Sequence, residues 1–177
     1  MISIHTLHNI ITSIPVAVLG GGPSLGDDIA KVPLGSVMIA VNHHALRYTW
    51  ASYMVFRDDP TEHPSLFKAL KGYQGVKVSP QIFFSDVDLS VNWWDGLFSS
   101  YLATWFACWL GCNPVLLCGM DCYQNPRPSD VDIRDNAYKM PLEQHLKGWK
   151  EAFRHCSYPE RIRAISGPLV KIFGAFP

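Results

Sequence analysis

Val16-Ala-Val-Leu-Gly20-Gly21-Gly22-Pro23-Ser24-Leu25 is the stretch from which the fold can be read. Four apolar residues, two of them β-branched, run into three glycines and then into a segment able to start a helix, the form of a first strand–turn–helix unit. Val37-Met-Ile-Ala-Val-Asn42 repeats the form and hands over to His43-His44-Ala45-Leu46. Tyr53-Met-Val-Phe-Arg-Asp58 repeats it again, ending on Arg57-Asp58-Asp59-Pro60. The strands are continuously apolar rather than alternating, so both of their faces need cover, which a parallel sheet with helices on each side provides.

Working outward, Pro64 to Gly72 reads as a helix leading to a strand at Val76-Lys-Val-Ser79. A long apolar segment reads as a buried helix ending at Gly111, followed by the strand Val115-Leu-Leu-Cys-Gly119. An amphipathic helix from about Pro141 to His155 precedes a last strand, Ile162-Arg-Ala-Ile165. Between Tyr123 and Met140 lies a polar stretch with Pro126, Pro128, Asp130, Asp132, Asp135, Arg127 and Arg134, which reads as a short lid at about 123–140. The expectation is an α/β, Rossmann-like, doubly wound and mainly parallel sheet with helices on both faces. At 177 residues the chain suits a single domain, 1–177.

Fifteen basic and fifteen acidic side chains balance, and no run of like charge marks a nucleic-acid or anionic-membrane surface. The segment Leu97 to Leu117 is free of charge, but Asn113-Pro114 cuts it, and a spanning helix needs ~20 continuous apolar residues, so no integral membrane segment is expected. The five cysteines are odd in number, sit in mostly apolar surroundings and follow no secretory signal pattern; a reduced, cytoplasmic protein is expected. Trp93, Trp94, Trp105, Trp109 and Phe98 leave room for an exposed aromatic face in a homo-oligomer, beside the plainer reading of an ordinary core.

In open parallel sheets ligands sit beyond the carboxyl ends of the strands, so the strand-end residues are the candidates. Gly20, Gly22, Pro23 and Ser24 would let backbone approach a ligand and present helix-start N–H groups to an anion. Pro23 is suited to a first helical turn, or Ser24 caps it with Asp27 in a loose capping box. The plain alternative is a connecting turn. Asn42 and Asp58 could hold ribose, base or metal, or serve only as turn residues. His43 and His44 read as ordinary helix-start or surface residues pointing in different directions. Cys108, Cys112, Cys118 and Cys122 lack the knuckle spacing of zinc ligands and read as small buried residues, so no metal is assigned. His145, at a helix start after the lid, has the chemistry of a general base, although a lone histidine is more often structural.

Gly20-x-Gly22-Pro23-Ser24-Leu25, Asn42, and Leu117-Cys-Gly-Met-Asp-Cys-Tyr-Gln-Asn125 together resemble the bacterial sialyltransferases with one Rossmann-like domain and a lid. Those enzymes carry a G-x-G-P-S-L turn and a G-[IM]-D-x-Y-Q segment. The same turn opens a family of domains that includes archaeal 6-hydroxymethylpterin diphosphokinases, with short relatives in phage genomes. The sialyltransferase resemblance implies that Gly22, Ser24 and Asn42 hold the CMP part of a nucleotide-sugar donor. It also implies that Tyr123, with Gly119 and Asp121 in the same segment, lies near the phosphate. Ser99 or Ser100 matches the serine before the long helix, and His145 matches the catalytic histidine. The chain departs from that pattern where Arg57-Asp58 replaces an asparagine, an aspartate there being more typical of the diphosphokinase-like group, and where the lid offers only Tyr138 as a second tyrosine.

Three expectations follow. The first is a metal-independent, CMP-type nucleotide-sugar transferase with His145 as base and Tyr123 at the departing phosphate, needing no cofactor. The second is diphosphoryl transfer from ATP with Asp58 and Asp121 on Mg²⁺, although no G-x₄-G-K-[ST] loop is present. The third is a non-catalytic nucleotide-binding module.

Overall fold

The computed structural model describes residues 4–80, 87–91, 98–123 and 140–177. Seven strands form one all-parallel sheet: β1 (Val16–Leu19), β2 (Val37–Val41), β3 (Tyr53–Val55), β4 (Val76–Ser79), β5 (Leu89–Ser90), β6 (Val115–Cys118) and β7 (Ile162–Ala164). Their order is β5-β4-β3-β2-β1-β6-β7. The chain therefore winds outward from β1 through β5, then returns to the other side of β1 to lay down β6 and β7. A crevice opens where the winding reverses, above the carboxyl ends of β1 and β6. The register Leu19↔Cys118 brings the glycine turn after β1 level with Gly119-Met120-Asp121 after β6.

Central position explains the strand composition. All of Val16, Ala17, Val18 and Leu19 are fully buried, because β1 has a strand on each side and helices over each face. Alternate residues serve different layers. Val16, Val18, Ile39, Val55, Val115 and Leu117 face the layer of α3 (Ser99–Trp109), α4 (Leu142–Ala152) and α5 (Val170–Phe173). Ala17, Leu19, Leu116 and Cys118 meet Leu25 of α1 (Leu25–Ile29), while Ala40 and Met54 meet Leu66, Ala69 and Leu70 of α2 (Pro64–Gly72).

Helix α3 runs between the sheet and α4, which is why its sequence is apolar almost all round. Leu102, Ala103, Phe106 and Ala107 have no exposure, and Tyr101 packs edge-on against Trp149 at a centroid distance of 4.5 Å. Each such large side chain contributes about 1.5–3 kcal/mol relative to leaving it in water. The charge-free stretch is thus an interior helix, and among the described residues no helix is long and apolar enough to cross a membrane. Trp105 and Trp109 pack partly buried against the same core; Trp93 and Trp94 lie outside the described residues. Helix α4 is amphipathic, burying His145 and Trp149 at i, i+4 and exposing Glu143, Lys147 and Glu151.

Several boundaries differ from the sequence reading. The third strand stops at Val55, three residues before Asp58, and α4 ends at Ala152 rather than His155. The short β5 and α5 carry too few residues to show a period, and the sequence did not reveal them. The expected lid at 123–140 lies outside the described residues except for its ends, Tyr123 and Met140, and Tyr138 lies outside with it.

Candidate functional site

The carboxyl edge of the sheet and the starts of α3 and α4 enclose a cavity of ≈ 310 Å³. Its floor is the glycine turn with Gly119-Met120-Asp121; one wall is Asn42, Asp58 and Ser99; the other is Phe98, Tyr101, Tyr123, His145 and Trp149. Gly20, Gly22, Pro23, Asn42, Asp58, Ser99, Ser100, Gly119, Asp121, Tyr123 and His145, all singled out from the sequence, line it together. Ser24 does not appear on its surface.

The donors of Ser24 are taken within the protein. Its N–H and its hydroxyl both donate to Asp121 Oδ2, at 3.1 and 2.8 Å, and the hydroxyl also lies 3.1 Å from Asp28 Oδ2. The capping box expected from Ser24 and Asp27 does not form: Ser24 has helical backbone angles and makes no side-chain cap bond. Asp28, 1% exposed, lies beside the Ser24 hydroxyl and accepts from the Gly119 N–H at 2.9 Å, tying α1 to the end of β6. An anion therefore does sit against the turn, and it is the side chain of Asp121.

All three glycines of the turn are set by close approach: a Cβ on Gly20 would meet the Gly119 carbonyl oxygen. A Cβ on Gly22 would overlap the Asp121 carboxylate, and one on Gly21 would overlap the imidazole of His44. His43 and His44 are accordingly not surface residues pointing apart. Their rings lie 4.3 Å apart, both line the cavity, and the 3-10 turn Asn42–Leu46 carries them over the glycines. The adjacency of two histidines gave no hint of this, since only the tertiary fold brings Gly21 beneath them.

The first wall is held by hydrogen bonds. Asn42 Nδ2 donates to Asp58 Oδ2 at 2.8 Å, Ser99 Oγ lies 3.3 Å from Asn42 Oδ1 and 3.4 Å from Asp58 Oδ2, and the Arg57 N–H donates to Ser99 Oγ at 3.0 Å. Three strand or helix ends are thereby fixed to one another. Asn42 takes a left-handed conformation, φ 56°, which an asparagine adopts more readily than most residues. Ser99 and Ser100 open α3, so the positive end of an eleven-residue helix, with its unbonded first N–H groups, faces the cavity.

The second wall is held by rings. His145, 2% exposed, lies 5.4 Å from the Tyr123 ring and 5.8 Å from that of Phe98. Cys122 and Tyr123 are both left-handed, φ 50° and 57°, and this tight turn brings the Tyr123 ring onto His145. Non-glycine residues held there cost about 1–3 kcal/mol each and persist where the surroundings enforce them. Tyr101 lines the cavity at 2% exposure, and its hydroxyl has no hydrogen-bond partner among the described residues. Burial raises its phenol well above the ordinary tyrosine value, so it remains a neutral donor. Tyr101 lies within an apolar helix, where no local pattern marks it as a site residue.

Among the described residues no three His, Cys, Asp or Glu side chains are grouped to hold an ion, and Asp58 and Asp121 are each bonded to protein donors. All five cysteines are free and buried.

No protein-family model and no curated protein matches the sequence. Solved structures do. The fold is similar to that of the sialyltransferase CstII from Campylobacter jejuni in complex with a substrate analogue, cytidine-5'-monophosphate. The TM-score is 0.61 at 15% identity, over 94% of this chain and 86% of that one. It is also similar to the MAf glycosyltransferase from Magnetospirillum magneticum AMB-1, with a TM-score of 0.51 at 16% identity, over 72% of this chain and 26% of that longer one. At these identities the likeness is one of fold, and the fold it shows is the α/β, Rossmann-like one.

Proposed function

We propose that the chain is a glycosyltransferase that uses a nucleotide-activated sugar of the CMP type, with His145 as general base. The observation that carries this reading is the position of His145: buried, beside Tyr123, on a cavity whose opposite wall is a bonded set of Asn42, Asp58 and Ser99. An amide, a carboxylate and a hydroxyl in one plane of contact suit the hydroxyls of a ribose, while the start of α3 suits a phosphate. The crystallised complex of the fold neighbour with cytidine-5'-monophosphate supports the choice of nucleotide.

In this reading the nucleotide's sugar lies against Asn42 and Asp58, and its phosphate lies near Ser100 and Tyr123. The phosphate does not take the Ser24 N–H, because Asp121 occupies it. An acceptor hydroxyl approaches from the His145 side and gives its proton to the imidazole as its oxygen attacks the anomeric carbon. The bond from that carbon to the phosphate oxygen breaks, and Tyr123 with the α3 N–H groups stabilises the charge left on the phosphate. We assign the protein to the cytoplasm and require no cofactor for this reaction.

Thermal unfolding with CMP, CDP, UDP, GDP and ATP, each with and without Mg²⁺, tests the assignment. A ligand at ~100 times its Kd stabilises by about 2.7 kcal/mol. A metal-independent shift with the cytidine nucleotides is expected. A shift with ATP and Mg²⁺ alone would replace the reading with diphosphoryl transfer. Binding without turnover of any donor would leave a nucleotide-binding module.

A further inference from the structure

Six large apolar side chains are left exposed among the described residues, and four of them, Ile10, Ile14, Leu34 and Trp50, lie on the segments that lead into the first three strands. Those segments are neighbours in space because the strands they enter are. The Val37 N–H donates to the Pro15 carbonyl at 2.9 Å and the Ser52 N–H to the Met38 carbonyl at 3.0 Å, so the entrances of β1, β2 and β3 stand side by side. Adjacent strands are about 4.8 Å apart. Ile14 is two residues before β1, and Leu34 and Trp50 are each three residues before β2 and β3. Ile10 joins the row from the end of α3, where the N–H groups of Asn9 and Ile11 donate to the Trp109 and Leu110 carbonyls. Leu34 is fully exposed, Ile10 and Trp50 are more than half exposed, and the Trp50 ring is seated edge-on against Tyr48 at 5.8 Å. Exposed apolar residues scattered singly are ordinary, whereas a row of four along one edge marks a contact surface.

Charge indicates what this edge meets. Segments 8–15, 30–36 and 47–52 carry Lys31 and Arg47, both exposed, and no acidic residue. Exposed Lys71, at the end of α2, is drawn to the same edge by the Tyr73 hydroxyl, which donates to the Ala51 carbonyl at 2.6 Å, next to Trp50. Among the described residues, acids flank these entrances on either side: Asp88 before β5, accepting from the Lys77 N–H, and Glu160 before β7. A second copy of the chain would set the cations of the two edges against each other. An anionic lipid surface instead neutralises them and takes an indole and aliphatic side chains at its headgroup level. We propose that the amino edge of the sheet docks on an anionic bilayer surface, with Trp50, Leu34, Ile14 and Ile10 entering the headgroup region and Lys31, Arg47 and Lys71 meeting lipid phosphates. The cavity lies at the opposite edge of the sheet, so docking leaves it facing water. No single stretch of sequence carries this surface, since each segment brings one or two of its residues and strand order collects them.

Co-sedimentation of the full chain with phosphatidylcholine vesicles, with and without phosphatidylglycerol, is the test. Binding to the anionic vesicles should be at least ~10-fold tighter than to the neutral ones and should weaken as salt rises. Leu34→Ser/Trp50→Ser should lose most of that binding, and Lys31→Glu/Arg47→Glu/Lys71→Glu should lose the preference for anionic lipid. Brominated lipid should quench wild-type tryptophan fluorescence, and less so in Trp50→Phe. The lipid and salt dependence of the wild type stands even where a variant fails to fold. Absence of binding to anionic vesicles, equal binding to neutral ones, or binding unchanged in Leu34→Ser/Trp50→Ser would each overturn the proposal. So would a wild-type dimer that light scattering shows to dissociate in that variant, which would give the edge to a second copy of the chain.

Discussion

The two walls of the cavity are built on different principles. Asn42, Asp58 and Ser99 are held by hydrogen bonds to one another, so each supports the strand ends as well as facing the cavity. Tyr101, Tyr123, His145 and Trp149 are placed by ring packing on α3 and α4, and the Tyr101 hydroxyl, buried against Gly148, has no hydrogen-bond partner among the described residues. The difference teaches where function and stability can be separated. On the bonded wall a substitution unsettles the scaffold, whereas on the ring wall a change of chemistry that keeps the shape should alter activity first.

The largest effect expected is on the ring wall. His145→Ala should lower donor turnover by about 10²–10⁴-fold, the range for a positioned general base, while CMP binding measured by calorimetry changes little. Loss of nucleotide binding instead would show that His145 only supports the wall. The floor and the bonded wall come next. Gly22→Ala places a methyl group on the Asp121 carboxylate and the Gly119 carbonyl, and denaturant unfolding should show a loss of about 1–3 kcal/mol. Ser99→Ala removes the acceptor of the Arg57 N–H and a partner of Asn42, and should cost about 1–3 kcal/mol of stability together with nucleotide affinity. A Ser99→Ala protein of unchanged stability would break the contrast between the walls. The smallest effect belongs to Tyr101→Phe, which keeps the ring in place. The hydroxyl it removes is buried without a described partner, so both stability by thermal unfolding and nucleotide affinity by calorimetry should change by less than about 1 kcal/mol.

The sequence could be read wherever a period or a turn is local. The continuous apolar runs of β1, β2 and β6 marked strands covered on both faces, and the charge-free run ending at Gly111 marked α3 as interior; both readings hold. Asn42 and Asp58 could be singled out because polar residues ending apolar strands must lie at the carboxyl edge of the sheet. The pairing of Ser24 with Asp121 spans 97 residues, and that of Asp28 with Gly119 spans 91, so no window of sequence contains either. The same holds for the His44 ring over Gly21 and for the Tyr101 hydroxyl beneath α4.

By itself, then, the sequence determined a parallel α/β sheet, its buried helix and the edge at which a ligand would sit, because these follow from the period and placement of apolar and polar residues along the chain. The tertiary structure decided which donors remain available there. It placed the Asp121 carboxylate on the Ser24 N–H where the sequence suggested a ligand phosphate, and it turned two histidines read as ordinary into part of the cavity. Strand order caused this: once β6 lies beside β1, the residues after each must share one small space, and their charges and hydrogen bonds satisfy one another before any ligand arrives.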